Sequence, residues 1–145
     1  MAADPDGALT PVRVVIFEND PRQAIGYRDL FKDAGFDAQT ALPDENLAEL
    51  CARVQPQAAL VDMGIWEADA AYIFGVIEAA IGFERPVILA LASLPHQVRR
   101  AKKFGADAVW VRGVDDAAAL PQLISDLLEQ RRDGKLKPRT PATPL

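Results

Sequence analysis

The 145-residue chain has a single cysteine, Cys51, and a single histidine, His96. That scarcity excludes an internal disulfide, a Cys/His zinc site and a Cys-His nucleophile pair. No stretch approaches the roughly 18–20 uninterrupted apolar residues of a membrane span. The opening Met1-Ala-Ala-Asp-Pro-Asp-Gly-Ala-Leu lacks the basic and apolar regions of a secretory signal. A cytoplasmic, reducing setting is therefore expected. No Gly-x-Gly-x-x-Gly and no Gly-x4-Gly-Lys-Ser/Thr follows an apolar run, so nothing points to nucleotide binding.

Positive charge is also unevenly placed. The net charge is −5, yet residues 131–145 carry Arg131, Arg132, Lys135, Lys137 and Arg139 against Asp133, a local +4. The remainder is thus −9, which argues against a nucleic-acid surface on the folded part. Residues 1–11 and 133–145 are rich in Pro, Gly and small residues without periodicity, and are read as disordered ends around a domain at 12–132.

Within that domain, apolar runs and helical patterns alternate five times. Val12–Phe17 is a β-branched run suited to a strand buried on both faces. Asp20-Pro21 starts a first helix with Asp as cap and Pro in the first turn, and Gly35 stops it. Residues 36–41 form a second strand, and Asp44 is expected to cap a second helix carrying Leu47, Leu50, Cys51 and Val54. A third strand spans Ala58–Met63, with a third helix over 68–80 closed by Gly82. Pro86–Ala92 is a wholly apolar fourth strand, followed by a helix from Pro95 to Phe104 with Gly105 as its cap. Asp107–Val111 is the fifth strand. The last helix begins at Asp115 or Asp116 and carries Leu120, Leu123, Ile124, Leu127 and Leu128 on one face. Pro121 requires that helix to start late or to kink.

Strictly alternating strands and helices predict an α/β three-layer sandwich with a parallel sheet covered on both faces. Right-handed crossovers and five strands suit the flavodoxin-like order 2-1-3-4-5, with ligands collecting at the carboxyl ends of the central strands. Two acids stand there. Glu18 follows the first strand, and Asp62 ends the otherwise apolar Ala58-Ala-Leu-Val-Asp-Met63. A carboxylate at the end of a buried strand is costly without partners. Facing each other across a narrow cleft, Glu18 and Asp62 would need a basic side chain or a hard cation such as Mg²⁺ between them. Asp20 alone suffices as the helix cap, which leaves Glu18 and Asn19 available for such a role.

The ordered set of signals resembles the response-regulator receiver domain of two-component signalling, over about residues 12–130. It comprises a polar Glu18-Asn19 pair after strand one with Pro21 close behind, Pro-x5-Asp through strand three, the Pro-Val-Ile opening of strand four, and Gly-Ala-Asp before strand five. The resemblance implies that Glu18 and Asn19 occupy the Mg²⁺-binding pair and that Asp62 accepts a phosphoryl group. It also implies that the carbonyl of Gly64 completes the metal site. The implied donor is a sensor histidine kinase or phosphotransfer protein. Beyond self-catalysed transfer to Asp62, no enzymatic activity is expected.

The chain departs from that pattern at several places. Receivers usually carry Thr or Ser at the end of strand four, where Ala90 or Leu91 stands here, Leu91 being the matching position. Neither can donate a hydrogen bond. Ser93, two residues on, would reach the site only if its loop shifted. Receivers usually end strand five in Lys-Pro, and this chain has Arg112-Gly113. Arginine keeps the charge but brings a planar fork. Asn19 replaces one usual carboxylate, Trp66 stands where Pro is usual, and Asp69-Ala70 replaces Asp-Gly.

Three readings therefore stand side by side. The first is a stand-alone phosphorelay receiver using Asp62 and Mg²⁺. The second is a pseudo-receiver, with Arg112 a permanent counter-ion to Asp62 and Glu18, that signals by phosphorylation-independent binding through the face of helix four, strand five and helix five, with a homodimer as one form. The third is a flavodoxin-like domain for a small ligand. Arg99, Arg100, Lys102 and Lys103 make helix four basic, either as a solvated face or as a dock for an acidic partner downstream. Trp110 is read as packing, His96 as a solvated or capping residue, and neither membrane nor nucleic acid as a partner.

Overall fold

The computed structural model describes residues 2–3, 9–41, 45–65, 67–79 and 85–136. Five parallel strands carry the fold: β1 Arg13–Phe17, β2 Asp37–Thr40, β3 Ala58–Asp62, β4 Val87–Ala92 and β5 Ala108–Val111. Their spatial order is β2-β1-β3-β4-β5, the flavodoxin-like arrangement expected from the alternating pattern. Register places Phe17 beside Val61 and Asp62 beside Leu91, so the ends of β1, β3 and β4 lie together.

Helices cover both faces because the strands bury both sets of side chains. On one face Val15, Phe17, Ala59, Val61, Ile88 and Ala90 pack against α2 (Leu47–Val54), α3 (Glu67–Glu78) and α4 (Pro95–Phe104). On the other, Val14, Ile16, Leu60, Leu89, Leu91 and Trp110 meet α1 (Pro21–Asp33) through Phe31 and α5 (Leu120–Arg132) through Leu120, Ile124 and Leu127. Each strand thus contributes alternate residues to separate cores, which is why the strands read as near-continuous apolar runs. Among the described residues, Asp62 is the only buried charged side chain, at 5% exposure.

The helix boundaries follow local chemistry. The Asp20 carboxylate accepts the Arg22 N–H at 2.9 Å, and Pro21 follows in the first turn. Gly105 ends α4 at φ 98°, a left-handed conformation that glycine adopts without strain. Pro121 causes no kink. Asp116 caps a 3₁₀ turn over Ala117–Ala119, and α5 starts only at Leu120, so Pro121 lies where no helical N–H is required. Trp110 is buried, and its indole N–H reaches the Asp116 carbonyl at 3.1 Å.

Three expected boundaries move. The observed cap of α2 is Asn46, whose side chain accepts the Glu49 N–H at 3.1 Å, while Asp44 lies outside the described residues. Residues 1–11 are not wholly without order, since Ala2–Ala3 pairs antiparallel with Leu9–Thr10. At the other end, the Lys135 N–H returns to the Gln130 carbonyl at 2.8 Å and Leu136 packs on the α1/α5 core. Ordered chain therefore continues past the predicted domain edge at 132, and residues 137–145 lie outside the described residues, as do Trp66 and Gly82. No described helix is long and apolar enough to cross a membrane.

Candidate functional site

Asp62 ends β3, where the strand opens into the loop at the carboxyl edge of the sheet. Its Oδ1 accepts the Gly64 N–H at 2.7 Å, a tight turn of two residues. A Cβ on Gly64 would sit 3.0 Å from that same oxygen, so the absence of a side chain permits the close approach. Asp62 Oδ2 accepts from Arg112 Nη2 at 3.1 Å. Arg112 follows β5, and its N–H is fixed to the Ala92 carbonyl at 2.8 Å, which aims the side chain back across the top of β4.

The guanidinium is anchored well beyond Asp62. Nη1 donates to Ser93 Oγ at 2.6 Å, and Nη2 lies 2.8 Å from Tyr27 Oη and 3.1 Å from Gln23 Oε1. Burial opposes the arginine charge, but Tyr27 and Asp62 more than offset it, and the group stays charged. Strand five, the loop after β4 and helix α1 therefore converge on one cation.

The opposite flank differs. Glu18 follows β1, and one oxygen accepts the Asp20 N–H at 3.0 Å. The other, Oε2, is buried without a hydrogen-bond partner. Desolvation, reinforced by the adjacent Asp62 carboxylate, pushes the Glu18 carboxyl up to about 8. Two acceptors side by side are stable only with a proton or a cation between them. Asn19 is exposed and, with Glu18, lines a groove of about 220 Å³ whose other walls include Phe17, Leu47, Asp69, Tyr72 and Ile73.

Of the six positions expected from sequence, Glu18, Gly64 and Arg112 gather around Asp62, and Asn19 lines the adjoining groove with Glu18. Leu91 is placed beside Asp62 in register, but its side chain is buried in the α1/α5 core and offers no hydroxyl. Ser93 joins the network through Arg112, whose Nη1 donates to its hydroxyl. Gln23 and Tyr27 were not anticipated: Tyr27 fits the apolar stripe of α1, and its ring does pack against that core while its hydroxyl turns to Arg112.

The donor set fits a hard divalent cation only in part. Two carboxylates, the Asn19 amide oxygen and backbone carbonyls are the oxygen ligands Mg²⁺ takes, and Glu18 Oε2 is an acceptor in want of a partner. No group of three or more His, Cys, Asp or Glu side chains suited to a metal occurs among the described residues. Asn19 and a main-chain carbonyl would have to complete the set.

Comparison with known proteins agrees with the architecture. Neither a family model nor a curated protein matches the sequence. Solved structures do match. A CheY-like response regulator receiver domain from Methylobacillus flagellatus superimposes with a TM-score of 0.69 at 13% identity, covering 81% of this chain and 99% of that one. A signal receiver domain from Bermanella marisrubri gives 0.70 at 18% identity, over 82% and 99%. An orphan response regulator of H. pylori gives 0.63 at 18% identity, over 81% and 96%. The fold is that of receiver domains.

Proposed function

We propose that this chain is a receiver-type signal-transduction domain in which Asp62 accepts a phosphoryl group from a phosphohistidine donor, a sensor kinase or a phosphotransfer protein. The observation that carries the reading is the unpartnered Glu18 Oε2 beside the Asp62 carboxylate at the open end of a central strand. Glu18, Asp62, Asn19 and the Gly64 carbonyl would hold Mg²⁺, which when bound supplies charge to neutralise phosphoryl oxygens. An Asp62 oxygen attacks phosphorus as the P–N bond to imidazole breaks, the imidazole leaves with a proton, and an acyl phosphate remains. Arg112 supplies a second positive charge within reach of the new group, and Ser93 offers a hydroxyl beside it.

A second reading has specific support. Arg112 already holds Asp62 and is itself held by three neutral acceptors, and the usual strand-four hydroxyl is replaced by buried Leu91. That arrangement suits a pseudo-receiver that binds partners through α4, β5 and α5, where Arg99, Lys102 and Lys103 are exposed.

Acetyl phosphate with millimolar Mg²⁺, followed by intact mass measurement, separates the two. The first reading expects a mass gain of one phosphoryl group that is lost with Asp62→Asn and with chelator. An unmodified wild-type protein would overturn it in favour of the second.

A further inference from the structure

Arg112 Nη2 carries two hydrogens, yet three acceptors lie within hydrogen-bonding distance of it: Asp62 Oδ2, Gln23 Oε1 and Tyr27 Oη. They belong to two different elements. Asp62 is at the end of β3, whereas Gln23 and Tyr27 stand four residues apart on α1, one turn above the other on a single face. We propose that Gln23 and Tyr27 compete with Asp62 for the donors of Arg112, which makes α1 the element that senses the charge at Asp62. The proposal deepens the reading of Asp62 as the place where charge changes and rests on it for its biological use.

The direction follows from bond strength. A hydrogen bond to an ionised acceptor is roughly twice as strong as one to a neutral acceptor. With one carboxylate present, the guanidinium is shared between β3 and α1. More negative charge at Asp62 draws the two hydrogens toward the sheet and releases the α1 pair. Less charge returns them to Tyr27 and Gln23. Nη1, engaged with Ser93, keeps the fork in place as a pivot. Leu91 is buried in the apolar core and cannot serve as a hydroxyl relay in β4, so Arg112 is the polar link from Asp62 to a neighbouring helix. Gln23 is exposed and Tyr27 half-buried, which puts the released groups at the surface of α1.

The test uses the full chain with 3-fluorotyrosine and Tyr72→Phe, which leaves Tyr27 as its only tyrosine. The ¹⁹F resonance of Tyr27 is compared between that protein and the same protein with Asp62→Asn. The proposal expects a shift larger than the linewidth, and expects it to vanish when Arg112→Met is present in both. Should Arg112→Met fail to fold, Arg112→Gln takes its place. An unmoved resonance on Asp62→Asn overturns the proposal, as does a shift that survives loss of Arg112. Beryllofluoride with Mg²⁺ is added last. A shift there opposite in sign to that of Asp62→Asn supports both the sensor and the phosphoacceptor. If Asp62→Asn moves the signal and beryllofluoride does not, the sensor stands and the phosphoacceptor reading fails.

Discussion

On the β5 side of Asp62, one guanidinium ties together Asp62, Ser93, Gln23 and Tyr27; on the β1 side, a buried glutamate oxygen has no donor and faces the Asp62 carboxylate. Both flanks sit at the same end of the same sheet, and both are partly withdrawn from water. The basic flank has resolved its electrostatics internally, with both terminal nitrogens of Arg112 engaged. The acidic flank has not, and its stability depends on whether a proton or a cation reaches Glu18. Charge at the carboxyl edge is thus fixed on one side and open to solution conditions on the other, which is what a responsive site requires.

Removing the fixed side should have the largest effect. Arg112→Met keeps the aliphatic stem but leaves Asp62 buried without its counter-charge. Loss of one partner of a fully buried pair costs about 3–5 kcal/mol; with a third of the Arg112 side chain exposed, a loss of about 2–3 kcal/mol is expected. Urea unfolding in chelator gives the value directly. Under the proposed Mg²⁺ site, millimolar Mg²⁺ should restore part of it, because a ligand of the folded state alone stabilises that state. A loss below about 0.5 kcal/mol would mean that the two flanks do not differ as described.

The open side is probed by pH. The folded Glu18 carboxyl titrates near 8 against an ordinary 4.5, so the folded state holds a proton that the unfolded chain gives up. Its contribution is fully present below the ordinary value and is lost as pH rises toward 8, after which it is flat. Glu18→Gln, a neutral analogue of the protonated acid, should remove that slope. Allowing for solvent around a half-buried carboxyl, wild type should lose about 1–2 kcal/mol relative to Glu18→Gln between pH 5 and about 8 in chelator. Parallel stability curves would show that Glu18 is already satisfied and the acidic flank closed.

Much of this was legible in the sequence, for identifiable reasons. Each strand-helix unit carried its own start and stop chemistry, such as Asp20-Pro21 and Gly105, and a carboxylate closing an apolar run marked Asp62. The local signals at Asp20-Pro21 and Gly105 survived intact, whereas the expected Asp44 cap gave way to Asn46. What could not be read depends on distances between elements far apart in sequence. Tyr27 is 85 residues from Arg112, and helical periodicity records its ring but not where its hydroxyl points. Ser93 meets Arg112 across 19 residues of sequence, and its distance from the end of strand four gave no sign of that contact. Asn46 and Asp44 are both competent cap types in sequence, and the observed cap is Asn46, whose side chain accepts the Glu49 N–H.

Gly64 lies on the seam between the flanks, and the smallest effect is expected there. Its N–H fixes Asp62 Oδ1, so Oδ2 is left to Arg112 and the orientation of the carboxylate is set by the loop. Gly64→Ala would place a Cβ 3.0 Å from Oδ1 with the Gln97 amide nitrogen at 3.9 Å, and the loop must give by a few tenths of an ångström. Gly64 itself is exposed, so the loop can relax outward and the cost should be about 1 kcal/mol, below that of an overpacked core. The sharper readout is rotation of the Asp62 carboxylate away from the Gly64 N–H, seen as faster amide hydrogen exchange at residue 64. Loss of protection at that amide with the Tyr27 resonance unchanged would show the loop steering Asp62 without disturbing the Arg112 network. Movement of both would show that the seam couples the two flanks.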